Sequence, residues 1–348
     1  MIYANIHADG RTNNSLFELE DTVHRFNPSD TPRLLREVLL TQGIELNTPD
    51  LNLDRHVSFD IHLEGRPLDV KTRPRYLIAL ENPNINTLNT NVDYCAQFET
   101  VFAWDVRLHH LDNVVPILIP HPMLWTDFPG PEQRSIFSCL INANKAFKEV
   151  LETDLYRERI QTIRWYESNA PEHFQLFGLG WEKQPPAYTS ADRLRRTWLS
   201  LKNRLMGRVP FPSFQGEVAN KASVLRQSRF SYCYENSRDI PNYITEKMLD
   251  SLIAGCVPIY WGADNVLDHI PANCFIDRRH FSDTADVHRH LLGIDDDCYQ
   301  GYQQNIRKFL SSESARRFSS PSVVQTIVYK IGQDIQLRNR SCYHDVNI

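Results

Sequence analysis

Residues 230–262 contain a series of polar groups that could bind an anion where a strand gives way to a helix. Aromatic and smaller side chains alternate over residues 230–234, which is the period of a half-buried strand. The run Glu235–Ser237 then interrupts this pattern with residue types that favour turns and caps. The sequence therefore predicts that the chain leaves a sheet at Glu235.

A helix followed by a second strand is predicted directly after this turn. Asn242 can cap free backbone N–H groups, so we expect the helix to begin near it. Gly255 suits the left-handed conformation that follows many helices, and we expect the helix to end there. The apolar run Val257–Trp261 is predicted to form the next strand.

The predicted helix has an apolar side and a polar side. At about 100° per residue, one stripe collects the apolar residues Ile244, Met248, Leu249, Leu252 and Ile253. Tyr243, Glu246 and Lys247 lie on the other side. Because a helix start carries free N–H donors and a partial positive charge, it attracts anions, and Lys247 adds a full charge. A diphosphate is the predicted ligand, although an isolated Glu-Lys pair is more often a solvated surface pair.

This segment resembles the donor-binding motif of the glycosyltransferase family 10 fucosyltransferases. That family carries Phe-Glu-Asn-Ser, then Tyr-x-Thr-Glu-Lys, then Gly-x-Val-Pro and a further glycine. The present chain has Glu-Asn-Ser at 235–237, Tyr-Ile-Thr-Glu-Lys at 243–247 and Gly-Cys-Val-Pro-Ile-Tyr-Trp-Gly at 255–262. The likeness continues to Phe281, so roughly fifty consecutive residues agree. Tyr234 stands where the family usually has Phe, and the spacing before Tyr243 differs slightly from some members.

The resemblance implies that this segment binds GDP-β-L-fucose. Glu246 and Tyr243 would hold the ribose or the base. Asn236 and Ser237 would shape the pocket for the phosphates and fucose. The complete implied donor-binding set is Arg159, Glu235, Asn236, Ser237, Tyr243, Thr245, Glu246 and Lys247.

A helix predicted over Asp154–Asn169 supplies a candidate phosphate-binding arginine. By resemblance to the family's Arg-x-x-x-Tyr helix, Arg159 is the first choice, although counting back from Tyr166 reaches Thr162, one turn away. Arg164 is the competing candidate, and it could equally be a solvated charge. Arginine suits a diphosphate because its planar fork binds two oxygens and stays charged at any working pH.

A carboxylate further upstream is the candidate general base. Tyr76–Leu80 is typical of a buried strand, and Glu81 follows it directly. The resembled family places its proposed base in a similar run, which corresponds to Glu81. An acceptor hydroxyl is a weak nucleophile and must lose its proton as it attacks, so the chemistry independently requires a base. Without the resemblance, Glu81 would be interpreted as a loop-capping residue.

The composition narrows the class of protein. The 348 residues include 38 Lys plus Arg and 43 Asp plus Glu, a formal net charge of -5, which argues against an electrostatic nucleic-acid binder. Seven cysteines are scattered without a Cys-x-x-Cys pair, which favours a reducing compartment. Histidine and cysteine spacing shows no zinc signature, and we assign Asp295–Asp297 to solvent. We expect no metal or cofactor, with Mg²⁺ or Mn²⁺ at most stimulatory.

Charge near the N-terminus and the absence of long apolar runs bear on location. The first twenty residues contain the polar side chains His7, Asp9, Arg11, Glu18 and Glu20. These residues are therefore not typical of a secretory signal or a membrane anchor. No later apolar run is as long as a membrane-spanning helix. We expect a bacterial cytoplasmic enzyme with at most peripheral contact at the inner face of the membrane. Ser190–Ser213 is locally basic; a solvated helix face is preferred, and a membrane-surface patch is the alternative.

Alternating strand and helix patterns predict an α/β fold with parallel sheets. The predicted strands are Ile2–Ile6, Val57–Leu63, Tyr76–Leu80, Val115–Ile119, Ser135–Ile141, Phe174–Gly178 and Val257–Trp261, and further helices are predicted over Pro32–Gln42 and Ser322–Ile335. The resemblance implies GT-B architecture, with two Rossmann-like domains facing a cleft. We expect an acceptor domain over 1–128, a donor domain over 129–320, and a C-terminal helix and tail over 321–348 that can cross back to the first domain.

The resemblance thus implies an inverting transferase that moves L-fucose from GDP-β-L-fucose to O3 or O4 of a GlcNAc-containing or related glycan, forming an α-fucoside. Glu81 would take the proton, while Arg159, Lys247 and the helix start would stabilise the departing GDP. One alternative is a transferase for another nucleotide-activated deoxy or amino sugar. Another is a non-catalytic sugar-nucleotide or glycan-binding protein, against which the carboxylate at Glu81 argues. The acceptor, the linkage and the oligomeric state stay open.

Overall fold

The chain forms two compact α/β units. The computed structural model describes residues 1–18, 30–70, 72–187, 189–207 and 209–345. Unit 1 holds the described residues up to Met123 and those from Arg316 onward, and unit 2 runs from Leu124 to Ala315. Glu20, named above, lies outside the described residues, as does Arg208 within the basic segment Ser190–Ser213.

Helices and strands alternate along both units. Unit 1 contains β1 (Ile2–His7), α1 (Asp30–Thr41), β2 (Ile44–Asn47), β3 (Val57–Leu63), β4 (Arg75–Ala79), α2 (Val92–Cys95), β5 (Thr100–Ala103), β6 (Val114–Pro116) and α10 (Ser320–Asp345). Unit 2 contains β7 (Ile136–Ile141), α3 (Leu155–Asn169), β8 (Phe174–Phe177), α4 (Ser190–Met206), α5 (Lys221–Gln227), β9 (Ser228–Tyr234), α6 (Glu246–Ile253), β10 (Val257–Trp261), β11 (Ile276–Asp277), α7 (Thr284–Leu292) and α8 (Asp296–Leu310), with α9 (Glu313–Arg316) at its end. This alternation is the α/β class predicted from the sequence.

The sheet of unit 1 is parallel, with strand order β2-β1-β3-β4-β5-β6. Helices α1 and α10 cover one face, where Leu39 and Ile327 pack in the same apolar cluster as Ile61. Tyr94 and Phe98 belong to a smaller cluster with residues of β4 and β5. Because both faces are packed, the carboxyl ends of the strands are where polar groups can meet a ligand.

The sheet of unit 2 is also parallel, with order β11-β10-β9-β7-β8. An aromatic layer joins α3 to the sheet: the Tyr166 ring stacks on Phe174 at 4.7 Å, and its hydroxyl lies 2.9 Å from that of Tyr232. Helices α5 and α6 pack beside β9. These contacts fix β9 and its carboxyl end between two helices.

Several predicted boundaries agree with the structure. Strands β3 and β10 coincide with Val57–Leu63 and Val257–Trp261, and Gly255 adopts the left-handed conformation with φ of 65° after α6. The C-terminal helix is longer than Ser322–Ile335, because it runs over Ser320–Asp345. None of the helices in the described part of the chain combines the length and apolarity needed to cross a bilayer.

The predicted start of α6 at Asn242 is wrong. The helix begins at Glu246, and the side chain of Thr245 caps it by accepting from the Lys247 N–H. Asn242 instead has φ of 64°, and its side-chain oxygen accepts from Asn265 Nδ2 at 2.8 Å and faces His269 Nε2 at 2.7 Å. With that oxygen engaged elsewhere, Asn242 does not act as the cap.

Candidate functional site

In unit 2 the predicted site residues gather where β9 ends and α6 begins. Glu235 directly follows β9, and its N–H donates to the Trp261 carbonyl at the end of β10 at 2.8 Å. Thr245 directly precedes α6. This position, outside the carboxyl ends of parallel strands and at a helix start, is where open α/β sheets bind ligands.

Glu235 is fully buried and ties the end of β9 to the start of α6. One carboxylate oxygen accepts from the Thr245 N–H at 2.8 Å, and the other accepts from the Thr245 hydroxyl at 2.7 Å. A Cβ at Gly262 would lie 2.4 Å from the Glu235 side chain, so glycine leaves the room that this carboxylate needs. Burial raises the pKa of Glu235, and the charge of Lys247 opposes that increase. Glu235 therefore positions the helix start rather than presenting its own oxygens to a ligand.

Lys247 lies between two carboxylates. Its Nζ is 3.3 Å from Glu235 and 3.4 Å from Glu246, and it donates to the Thr245 hydroxyl at 3.1 Å. Burial acts to lower the pKa of Lys247, but the charges of Glu246 and Glu235 outweigh it and raise the pKa. The ammonium therefore stays charged, and its charge is already shared with two anions.

Glu246 is the more accessible of these two anions. Burial acts to raise the pKa of Glu246, but the charges of Lys247 and Lys221 and the hydrogen bond from Thr245 outweigh it and lower the pKa to about 2. Its side chain remains 36% exposed. Glu246 is thus ionised at neutral pH and able to accept hydrogen bonds from hydroxyl groups outside the protein.

Arg159 reaches the same strand end from α3. Its Nη2 donates to the carbonyls of Tyr234 at 2.6 Å and Glu235 at 2.8 Å, and to the Asn236 side-chain oxygen at 3.1 Å. Burial lowers the pKa of Arg159, although the electrostatic effects of nearby Tyr156 and Glu235 act to raise it. Its Nε is buried and has no hydrogen-bond partner within the described residues.

Arg164, the competing arginine, makes other contacts. Its Nη1 donates to Glu167 at 2.6 Å and to the Pro210 carbonyl at 2.8 Å, and its guanidinium lies 4.0 Å from the centre of the Phe211 ring. Of the two candidates, Arg159 is the one that contacts the Glu235–Asn236 segment.

The remaining predicted donor residues belong to the same cluster. Asn236 Nδ2 donates to the Tyr243 hydroxyl at 3.2 Å, and the Leu155 N–H donates to the Asn236 carbonyl at 3.1 Å. Ser237 is fully buried and forms an isolated antiparallel bridge with Asp154, the N-cap of α3. The structure therefore brings the eight predicted donor residues together around the starts of α3 and α6.

In unit 1, Glu81 follows β4, and a second glutamate holds its backbone. Glu81 is partly exposed, and one of its oxygens accepts from the Asn82 N–H at 2.8 Å. Glu64, directly after β3, accepts from the N–H groups of Leu80 at 3.2 Å and Glu81 at 3.0 Å, and from Asn89 Nδ2 at 2.6 Å. Burial raises the pKa of Glu64, and the charge of Glu81 adds to this effect.

A histidine pair at the ends of β1 and β3 was not singled out from the sequence. His7 Nε2 lies 3.2 Å from Asp60, which also accepts from Asn5 at 3.0 Å and from Arg73 at 2.8 Å. The His62 ring stacks on His7 at 4.5 Å. Burial, and then the charge of His7, lower the pKa of His62 to about 3. Parallel register places His7 opposite His62, and strand registry was the information that the sequence lacked.

Among the described residues, no group of three or more His, Cys, Asp or Glu side chains is arranged to hold a metal ion. Asp295 caps α8 by accepting from the Cys298 N–H at 2.8 Å, and Asp296 pairs with Arg229 at 2.8 Å. The acidic run is exposed, but two of its three carboxylates have protein partners.

Comparison with known proteins identifies the C-terminal part of the chain. Residues 201–345 match the family model described as glycosyltransferase family 10 (fucosyltransferase), C-terminal. The chain is 32% identical over 77 residues to the α-(1,3)-fucosyltransferase FucT of Helicobacter pylori, a match that covers 21% of this chain and 16% of that protein. It is 35% identical over 69 residues to an α-(1,4)-fucosyltransferase of Arabidopsis thaliana, covering 20% of this chain and 17% of the relative. These matches span less than a fifth of either relative.

Similarity in structure extends over most of the chain. A crystal structure of an α1,3-fucosyltransferase superposes with a TM-score of 0.51 at 12% identity, covering 88% of this chain and 80% of that one. At this identity the likeness shows the fold, which is the GT-B class of two Rossmann-like domains with parallel sheets. The motif cluster at the end of β9 and the start of α6 lies inside residues 201–345, the segment that matches the model of glycosyltransferase family 10, the fucosyltransferases.

Proposed function

We propose that the protein transfers L-fucose from GDP-β-L-fucose to a hydroxyl group of a glycan and forms an α-fucoside. The observation that carries the proposal is the convergence of Arg159, Glu235 and Lys247 at the start of α6, inside the segment that matches the fucosyltransferase family. Two relatives are named for α-(1,3) and α-(1,4) transfer, which supports attachment to O3 or O4 of the acceptor sugar.

The donor would bind through the residues around α6. The start of this helix, Lys247 and Arg159 offer positive charge for the diphosphate. Because the Lys247 ammonium already contacts the Glu246 carboxylate, a bound diphosphate would replace Glu246 as one of its partners. Glu246 would then be free to accept from ribose hydroxyls, for which its low pKa and partial exposure suit it. Tyr243, held by Asn236 at 3.2 Å, would line the pocket for the base or ribose.

The transfer itself would be a single displacement at the anomeric carbon. Glu81 accepts the proton of the acceptor hydroxyl as its oxygen forms a bond to the fucose C1. The C1–O bond to the β-phosphate breaks, and GDP leaves with the electron pair. Attack from the face opposite the leaving group converts the β-linked donor into an α-fucoside. Cationic side chains and the helix start stabilise the charge that develops on GDP.

A donor and acceptor screen tests the proposal. The full chain is incubated with GDP-fucose, GDP-mannose or UDP-glucose, each with N-acetyllactosamine, lacto-N-biose or a glucoside, and products are followed by mass spectrometry. We expect GDP release and addition of one deoxyhexose only with GDP-fucose and a GlcNAc-containing acceptor. Transfer from another donor in preference would point to a different nucleotide sugar. Tight binding of GDP-fucose without transfer to any acceptor would instead identify a binding protein.

A further inference from the structure

Helix α4 has an apolar side that unit 2 leaves uncovered. Its 17 residues include no buried side chain. Four large apolar residues are between 57% and 78% exposed, namely Leu194, Trp198, Leu201 and Leu205. At about 100° per residue they fall within an arc of roughly 60°, so they form one continuous stripe along the helix.

The partly buried residues of α4 lie on the side of the helix opposite the apolar stripe. Within this fully described helix, only Asp192, Leu199 and Asn203 are partly buried. They lie roughly 140–180° around the helix from Leu194. An ordinary surface helix turns its apolar stripe to the core, so α4 is oriented with that stripe toward solvent.

Positive charges border the exposed stripe on both sides. Arg195 and Lys202 lie on one flank, and Arg193 and Arg204 lie on the other. The single acidic residue of the helix, Asp192, is on the covered side, where its carboxylate accepts from the Thr189 N–H at 3.0 Å. The stripe is therefore bordered by cations, although the whole chain carries a formal net charge of -5.

The apolar stripe with basic flanks favours some binding partners of α4 over others. A second copy of the helix would bring two sets of basic flanks together, and like charges oppose that contact. A protein partner would need an apolar groove lined with acid to receive a convex helix. A bilayer needs no groove, because apolar side chains enter the headgroup region while arginine and lysine reach the anionic lipid phosphates. Trp198, with Lys202 Nζ 5.0 Å from its ring centre, is the residue type favoured at that boundary.

We propose that α4 binds the surface of an anionic membrane and attaches the protein to it peripherally. The helix is about 25 Å long, enough to lie flat along a bilayer. The attachment does not depend on the transfer reaction, because the proposed donor and base residues lie outside α4.

Vesicle flotation of the full chain tests this proposal. Vesicles of phosphatidylcholine alone are compared with an equimolar mixture of phosphatidylcholine and phosphatidylglycerol. We expect the wild-type chain to float with the anionic vesicles, and salt to weaken the association. The double variant Arg195→Gln with Lys202→Gln should bind about 25-fold more weakly, since each charge near an anionic surface accounts for about fivefold. Trp198→Glu should weaken binding by about tenfold or more, because burial of an aromatic side chain is lost.

Matched variants elsewhere on the surface serve as controls. Leu53 is 82% exposed in unit 1, and Arg289 is exposed on α7. Leu53→Glu and Arg289→Gln should float like the wild type, and every variant should retain its far-ultraviolet circular dichroism spectrum. The proposal is overturned if the wild-type chain stays unbound with anionic vesicles, or if it binds neutral vesicles equally. It is also overturned if the α4 variants float like the control variants. Binding of α4 to an acidic protein, without binding to either kind of vesicle, would overturn it as well.

Discussion

At the scale of single residues, the donor cluster is nearly balanced in charge. Arg159 and Lys247 contribute two positive charges, while Glu235 and Glu246 contribute up to two negative ones. Binding a diphosphate to such a cluster must therefore rearrange contacts that already exist. The sequence predicted that Lys247 adds a full positive charge at the helix start, and it did not reveal that the charge of Lys247 is paired with Glu235. The Glu235–Lys247 contact joins residues twelve positions apart through a non-helical loop, which sequence periodicity cannot predict.

We predict that Lys247→Ala weakens GDP binding by roughly 1.5–3 kcal/mol, the size of a charge-assisted hydrogen bond. The same change removes the cation next to buried Glu235, so the melting temperature should also fall. Lys247→Arg, which keeps the charge, should recover most of the stability, and exposed Lys183→Ala should behave as the wild type. Calorimetric titration with GDP measures the affinity. An unchanged GDP affinity in a folded Lys247→Ala protein would remove Lys247 from the donor site.

The general base is the second prediction at this scale. Glu81→Gln keeps the shape of the side chain but cannot accept a proton, so kcat should fall by about 10²–10⁴-fold while GDP affinity changes little. Steady-state kinetics with saturating GDP-fucose measures this. His7→Gln is the comparison, because His7 with Asp60 is another acid-base pair at the carboxyl end of the same sheet. Turnover that survives Glu81→Gln and disappears in His7→Gln would assign the base to His7.

At the scale of elements, the sequence predicts strands better than their connections. Strands β3 and β10 were predicted to the residue, β3 from its alternation of apolar and polar residues and β10 from an apolar run that ends at Gly262. The cap of α6 was placed three residues early, because Asn242 looks like a cap until its contacts with Asn265 and His269 are known. These partners lie more than twenty residues downstream. Glu64 was not predicted for the same reason, since it acts on the backbone of Glu81 across two adjacent strands.

The end of α6 provides a prediction about stability. Gly255 has φ of 65°, and a Cβ there would lie 2.1 Å from the Phe128 ring. Gly207, at the end of α4, has φ of 59° with no neighbouring atom within 4 Å of such a Cβ. Gly207→Ala should therefore cost only the backbone strain, about 1–2 kcal/mol. Gly255→Ala should cost about 2–5 kcal/mol because overpacking adds to the strain. Urea unfolding compares the two, and equal losses would show that Phe128 moves aside freely.

At the scale of the whole molecule, we expect a transfer reaction that does not depend on a metal ion. We propose that positive charge for the diphosphate would come from the start of α6, Lys247 and Arg159, and we therefore expect transfer to proceed without a divalent ion. The transfer rate should survive EDTA at a substantial fraction of its untreated level, with EDTA preloaded with Mg²⁺ as the control. Any gain from added Mn²⁺ or Mg²⁺ should come from relief of inhibition by free GDP. Complete loss on chelation, restored by one equivalent of metal, would direct attention to Asp295–Asp297.

The chemical structure of the reaction product tests the proposed transfer of fucose. The product of GDP-β-L-fucose and a GlcNAc-containing acceptor is purified, and NMR determines the anomeric configuration and the substituted oxygen. We expect an α-linked fucose on O3 or O4 of GlcNAc, formed by one displacement from the β-linked donor. A β-fucoside would contradict direct inversion with Glu81 as the base. The absence of any fucosylated product from a folded protein that binds GDP-fucose would contradict the proposed function itself.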